Sequence, residues 1–307
     1  MDRLSRPLTA SPGWHSRRWW VLLLIVGWSS GLGRPVTGQD LASHLTSAGI
    51  EFTPGVSIKL PRPSLSPEVA QADRLAAAQA LAGSAAWERF IGDSLNAPVT
   101  VDIAPIVGPQ AERLGLSVHT AFVVHTTLER LSDRQAMEAV FGKPQEGSQM
   151  DGLVIQELSA DQLQSHGMEQ MSDGSTQFFY IELPLLNKVL VQGVARVEAQ
   201  QREDGVEYYW QLDPRFNDQP QWATRWTRLE RNAVGKLVHG ETFAYAGCGG
   251  FWGAYQIGPE ASPLVIESQL LLREPQQWFA GSHFLRSKIP SLMQENARTF
   301  RRKLASQ

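Results

Sequence analysis

Between Phe178 and Arg273 the chain is a succession of alternating apolar and polar runs broken by turn-forming residues, and this constrains its fold more than any other feature. A period of two places successive side chains on opposite faces of a pleated strand. Phe178–Leu183 leads to Pro184, and Val189–Gln201 ends at Glu203-Asp204-Gly205, where the Asp-Gly step predicts a hairpin. Val206, Tyr208, Trp210 and Leu212 then share a face, as do Trp222, Thr224 and Trp226 beyond the Asn217–Pro220 loop. Leu237–Ala246 and Phe251–Ile257 flank Gly247-Cys248-Gly249-Gly250, expected to be a bend at which side chains would obstruct the backbone. Pro263–Arg273 supplies the last strand. Upstream, Ser117–Glu129 alternates in the same way, with Val118, Phe122, Val124 and Leu128 on one side and His119 and His125 on the other.

After Arg273 the period changes. Leu285, Ile289, Leu292, Asn296, Phe300 and Leu304 recur at three and four residues, an amphipathic helix that Pro290 should kink or restart. Neither the sheet nor this helix can bury its apolar face alone. The expected fold is therefore α+β, a curved antiparallel sheet packed on a long C-terminal helix. Shorter helices are expected from Ser132-Asp133 to Phe141, stopped by Gly142, and from Ser159 or Asp161, after a strand at Leu153–Leu158. This order of elements resembles the START-like helix-grip superfamily (SRPBCC-type), which includes polyketide cyclases and plant allergens of the Bet v 1 kind, over residues 117–304. The resemblance implies a sheet wrapped around the last helix, leaving a cavity for an apolar ligand. The segment before Ser117 and the region 142–177 are both larger than a minimal member needs.

Ahead of the sheet lie two further regions. Arg17-Arg18 precedes the apolar run Trp19–Trp28, shorter than the roughly 20 residues of a membrane span. Gly31 and Gly33, or Val36 and Gly38, then offer signal-peptidase spacing. Residues 1–38 read as a cleaved signal peptide of an exported, periplasmic or extracellular protein. If uncleaved, residues 19–28 would anchor it to the membrane with the Arg pair inside. Residues 39–98 hold the proline-rich Leu60–Pro67 and an alanine-rich helix from Glu68 to about Ile91, expected to dock as an accessory element on a main domain of residues 99–307.

Composition removes several function classes. A formal charge of -3 across 307 residues gives no basic field for nucleic acid, and cleavage near Gly38 would leave the remainder distinctly acidic. The one cysteine, Cys248, cannot form an internal disulfide or a thiolate cluster. Set among glycines, it reads as a small side chain at a crowded bend rather than a nucleophile. His119 and His125, about 20 Å apart along one strand, cannot share a metal, and no metal or cofactor motif stands out. Glu157 with Asp161, and Glu182 with Glu198, read as surface charge rather than acid–base pairs. Arg298, Arg301, Arg302 and Lys303 complement the dipole at the end of the last helix.

The large rings on neighbouring strands are the informative set. Tyr208, Trp210, Trp222, Trp226, Phe251, Trp252 and Tyr255 either fill a core or line an apolar pocket, with Arg228 on the side of Trp226 to meet a ligand carboxylate or stack on a ring. The leading expectation is non-catalytic binding of a hydrophobic small molecule or lipid between sheet and helix. A filled-core structural or protein-interaction module and a helix-grip cyclase or hydrolase are the alternatives.

Overall fold

The computed structural model describes residues 40–66, 68–133, 135, 137, 154–167, 176–258, 263–281 and 284–306. The expected signal segment and most of the expected helix to Phe141 lie outside them. Ten antiparallel strands form one curved, unclosed sheet, with a helix of 22 residues against it. The fold is α+β, a large antiparallel sheet with a C-terminal helix.

The strands are β3 (Thr100–Val107), β4 (Arg113–Val124), β5 (Val154–Glu157), β6 (Thr176–Leu185), β7 (Val189–Arg202), β8 (Gly205–Leu212), β9 (Arg225–Arg231), β10 (Leu237–Ala244), β11 (Cys248–Gln256) and β12 (Leu264–Arg273). They follow β1 (Ile50–Thr53) and β2 (Val56–Ile58), which pair as a separate hairpin. The long path through the sheet runs β10-β9-β7-β8-β11-β12-β4-β3, with β6 and β5 on the other edge of β7. β7 is where the sheet forks: its residues 189–192 pair with β9 and its residues 195–202 with β8. Gly193 lies at the fork, where a Cβ would come within 2.9 Å of Thr224 Oγ1 and 3.2 Å of Thr224 Cα, so a bare backbone lets the two branches approach.

Both faces of the sheet are covered, which explains why nearly every residue of β11 and β12 is buried. On one face, Val118 and Phe122 of β4, Tyr208 and Trp210 of β8, Trp252 of β11 and Leu270 of β12 pack on Leu285, Ile289, Ala297, Phe300 and Leu304 of α6 (Phe284–Ala305). The apolar stripe read from the sequence is the stripe that packs, and α6 runs through Pro290. On the back face, α1 (Leu41–Ser47) and the β1–β2 hairpin place Leu41, Leu45, Ile50 and Phe52 over Tyr209, Phe251 and Leu271. α2 (Gln71–Leu81) and α3 (Trp87–Phe90) place Ala78, Leu81 and Phe90 over Ala121, Val123, Tyr255 and Val265. α4 (Leu128–Ser132) follows β4, and α5 (Ala160–Ser165) brings Leu163 to Phe178, Val194 and Phe216.

Several local expectations are corrected. The helix expected over residues 68–91 is two helices, because Gly83 takes φ +60 and breaks it. The expected bend at 247–250 is confined to Gly247 (φ +83), and β11 starts at Cys248. Gly249 lies inside the strand, where a Cβ would meet Ile50 Cδ1 and the Trp210 carbonyl at 2.7 Å, so its bareness admits the N-terminal layer. A helix from Leu128, capped by Thr127, was not expected; the expected helix follows it, with Asp133 accepting the Gln135 amide at 2.7 Å and residues 135 and 137 helical. Trp222 precedes β9 instead of sharing a strand face with Trp226.

The N-terminal layer is fastened by two glutamates that project from the back face. Glu198 Oε2 accepts the Leu41 amide at 2.6 Å, and its Oε1 accepts the Thr176 hydroxyl and pairs with Arg196. Glu267 accepts the amides of Ser64 at 3.0 Å and Leu65 at 3.3 Å, and meets His119 Nε2 at 2.9 Å. From the other side, buried Arg301 of α6 donates to the carbonyls of Val123 and Ala97, both at 2.8 Å, tying helix, sheet and the end of this layer together. Desolvation, then the Arg298 charge, lowers its pKa to about 10, still far above neutrality. Substituting Glu267→Ala leaves the Ser64 and Leu65 amides without their acceptor and should cost about 3 kcal/mol, read from urea unfolding. A loss under about 0.5 kcal/mol, the scale of an ordinary surface change, would show that the layer is held by apolar packing alone.

Candidate functional site

The row of side chains at the middle of the α6-facing side is unlike the rest of that face. Register places Val101, Thr120, Ser268, Trp252, Tyr208 and Ala199 side by side on β3, β4, β12, β11, β8 and β7. Two hydroxyls thus sit next to each other where the flanking rows carry Val118, Phe122, Ile266 and Leu270. α6 also carries a polar residue in its core-facing stripe: Asn296, 1% exposed, among Ile289, Ala297 and Phe300. Together they enclose a cavity of about 40 Å³. Thr120, Ser268, Trp252, Trp210, Phe122, Ile289, Met293 and Asn296 are among its walls, with Val118, Leu270 and Ala297 completing the apolar part and Phe251 and Gln269 bordering it.

Neither Asn296 Oδ1 nor Nδ2 has a hydrogen-bond partner among the described residues, and the Trp252 Nε1–H has none either. A buried amide with all its bonding capacity unspent costs more than an apolar residue of the same shape. Either the position is occupied in solution or it is a standing loss of stability.

The eight side chains expected to line a pocket do not converge. Tyr208, Trp210, Trp226 and Trp252 face α6, while Phe251 and Tyr255 belong to the back-face clusters beneath α1 and α2. Trp222 joins Phe216 and His166 near α5, its ring 4.3 Å from that of His166. Arg228 is exposed, and Trp226 stacks on Phe243 at 4.5 Å. Of the eight, Trp210, Phe251 and Trp252 border the cavity. Thr120, Ser268 and Asn296 were not anticipated as site residues. Asn296 was visible as the polar member of the apolar stripe of α6, whereas the pairing of Thr120 with Ser268 depends on strand order.

Other chemistry-bearing groups resolve into structure. Burial pushes the Cys248 thiol up to about 12, so it stays protonated and unreactive at neutral pH. His125 Nε2 meets the Ile91 carbonyl at 3.0 Å. Glu182 sits opposite Gln192 and accepts from its amide and from the Tyr180 hydroxyl, while Glu198 lies opposite Thr176 further along the same strand pair. No group of three His, Cys, Asp or Glu residues able to hold a metal occurs among the described residues, and no described helix is long and apolar enough to cross a membrane. Glu207 is a buried carboxylate flanked by two phenols: the Tyr255 hydroxyl donates to Oε1 at 3.0 Å and that of Tyr209 to Oε2 at 3.1 Å. All three are sealed under the N-terminal layer, out of reach of a substrate.

No family model matches the chain, and no curated protein matches it.

Two stability measurements follow from these groups. Desolvation raises the Glu207 pKa above its ordinary 4.5, outweighing the bonds from Tyr255 and Tyr209. The folded state therefore favours the protonated acid, and this contribution is complete below pH 4.5 and lost as pH rises through the raised folded value. Glu207→Gln should remove that decline, so its urea midpoint falls less than the parent's between pH 4 and pH 7. An identical fall in both proteins would exclude Glu207 as the source. Separately, Asn296→Leu should raise stability by about 1–2 kcal/mol in protein stripped of small molecules, and a loss of that size would mean the amide is already satisfied.

Proposed function

We propose that this is a non-catalytic binding protein that holds a small molecule between its sheet and α6, in the manner the helix-grip resemblance implies. The observation that carries this reading is Asn296, a fully buried amide with both polar atoms unpartnered in the wall of a cavity. The apolar walls from Phe122, Leu270, Ile289 and Met293 suit a hydrophobic body, and the Asn296, Trp252, Thr120 and Ser268 groups suit one polar end. A cavity of about 40 Å³ favours a compact ligand over a long-chain lipid. Catalysis has less support, because the wall residues carry no acid, base or nucleophile of shifted pKa. The apolar run Trp19–Trp28 followed by small residues supports export as the setting.

Native mass spectrometry of the chain from Gln39 onward, compared with its denatured mass, tests the reading. A reproducible extra mass that is lost on denaturation, and lost in Asn296→Leu, is the expected result. Bare protein that stays bare after incubation with a mixed metabolite extract would favour a filled-core interaction module instead.

A further inference from the structure

Building on that binding reading, we infer that the cavity at Asn296 selects a neutral molecule presenting a carboxamide or lactam edge, and that Asn296 and Trp252 are the residues that select it. Three features of the walls lead there.

The first is charge. None of the residues that line the cavity is ionisable: Val118, Thr120, Phe122, Trp210, Trp252, Ser268, Leu270 and the α6 residues are neutral, as are the bordering Phe251 and Gln269. A carboxylate, phosphate or ammonium placed there would lose its water without gaining a counter-charge, which the interior strongly disfavours.

The second is the hydrogen-bond inventory. Asn296 offers two N–H donors and an acceptor oxygen, and Trp252 offers one N–H donor; all are unspent among the described residues. A carboxamide is the complement of this set. Its N–H donates to the Asn296 carbonyl, and its own oxygen accepts from the Asn296 amide and the Trp252 indole. Exchanging the Asn296 oxygen and nitrogen leaves the complement unchanged. A hydrocarbon would leave every one of these groups unpaired, and a ketone would leave the Asn296 acceptor unpaired.

The third is size. About 40 Å³ corresponds to roughly three waters at 10–15 Å³ each. A carboxamide has three heavy atoms, so the polar end fits these walls with little to spare. The hydroxyls of Thr120 and Ser268, adjacent on the sheet beneath, add tolerance to the orientation of that end.

The test uses nitrogen-15-labelled protein from Gln39 onward, with the Trp252 indole resonance assigned through Trp252→Phe. It is titrated with acetamide, acetate and acetone as probes. Acetamide should shift the Trp252 indole resonance saturably, with at least tenfold tighter apparent affinity than acetate or acetone. Asn296→Leu should abolish the shift while its far-UV circular dichroism stays unchanged. Asn296→Ala, which removes the amide without adding bulk, must do the same. Acetate or acetone binding as tightly as acetamide, no saturable acetamide shift, or a shift that survives both variants would each overturn the assignment. The two levels separate cleanly: a charged or purely hydrocarbon ligand found by native mass spectrometry would sink the amide specificity and leave the binding reading standing. Bare protein in every experiment would sink both.

Discussion

Carboxylates rising from the back of the sheet to backbone amides of the N-terminal layer are the interactions on which the architecture depends. A ten-stranded antiparallel sheet with a helix on one face still presents a second face, and here that face carries Phe251, Tyr255, Leu271, Val265 and Ala121. Left open it would be a large exposed apolar patch. Residues 40–98 close it, but a thin layer of short helices and a hairpin has little cooperativity of its own. Glu198 at the first turn of α1 and Glu267 at the Ser64-Leu65 turn set where the layer lands, because a buried carboxylate without its donors is far more costly than a misplaced leucine. Bare backbone at Gly249 then makes the seat for Ile50.

That arrangement leaves the two faces with different characters. On the back face the carboxylates of Glu198 and Glu267 are bonded to the N-terminal layer, and that of Glu207 lies between two tyrosines. The α6 face is closed mainly by apolar packing, and the polar atoms of Asn296 and Trp252 in its cavity wall have no partner among the described residues. Satisfied polar groups fix structure, whereas unsatisfied ones in a cavity invite an occupant. The contrast separates the carboxylates that hold the N-terminal layer from the cavity at which we propose binding.

How much of this was legible in the sequence follows from the range over which each signal acts. Period-two alternation and the Asp204-Gly205 turn are local, and they gave β6, β7, β8 and β12 to within a few residues. The stripe from Leu285 to Leu304 likewise marked the packed face of α6. β3 escaped because it is an edge strand carrying Pro105, and the 50–58 hairpin because its strands are three and four residues long. The aromatic set illustrates a harder limit. Strand alternation tells which residues share a face along one strand, and adjacent Phe251 and Trp252 accordingly point to opposite faces, so a shared run of large rings does not make a shared pocket. Which face meets α6, and that Thr120 stands beside Ser268, depends on the order β11-β12-β4, which no local pattern encodes.

The anchors of the N-terminal layer also impose a schedule. Leu41 meets Glu198 across 157 residues of chain, Ser64 meets Glu267 across 203, and Ala97 meets Arg301 across 204. Contacts of such separation are the slowest to form, since the intervening loop must close before they are rewarded. During synthesis the layer emerges before the sheet and has nothing to dock on until β11 and β12 exist, so Leu41, Leu45 and Phe52 must wait with their apolar surface unprotected. The segment that completes the fold is made before the strands it covers, and the interval between those two events is when this chain is most exposed to aggregation and to capture by chaperones.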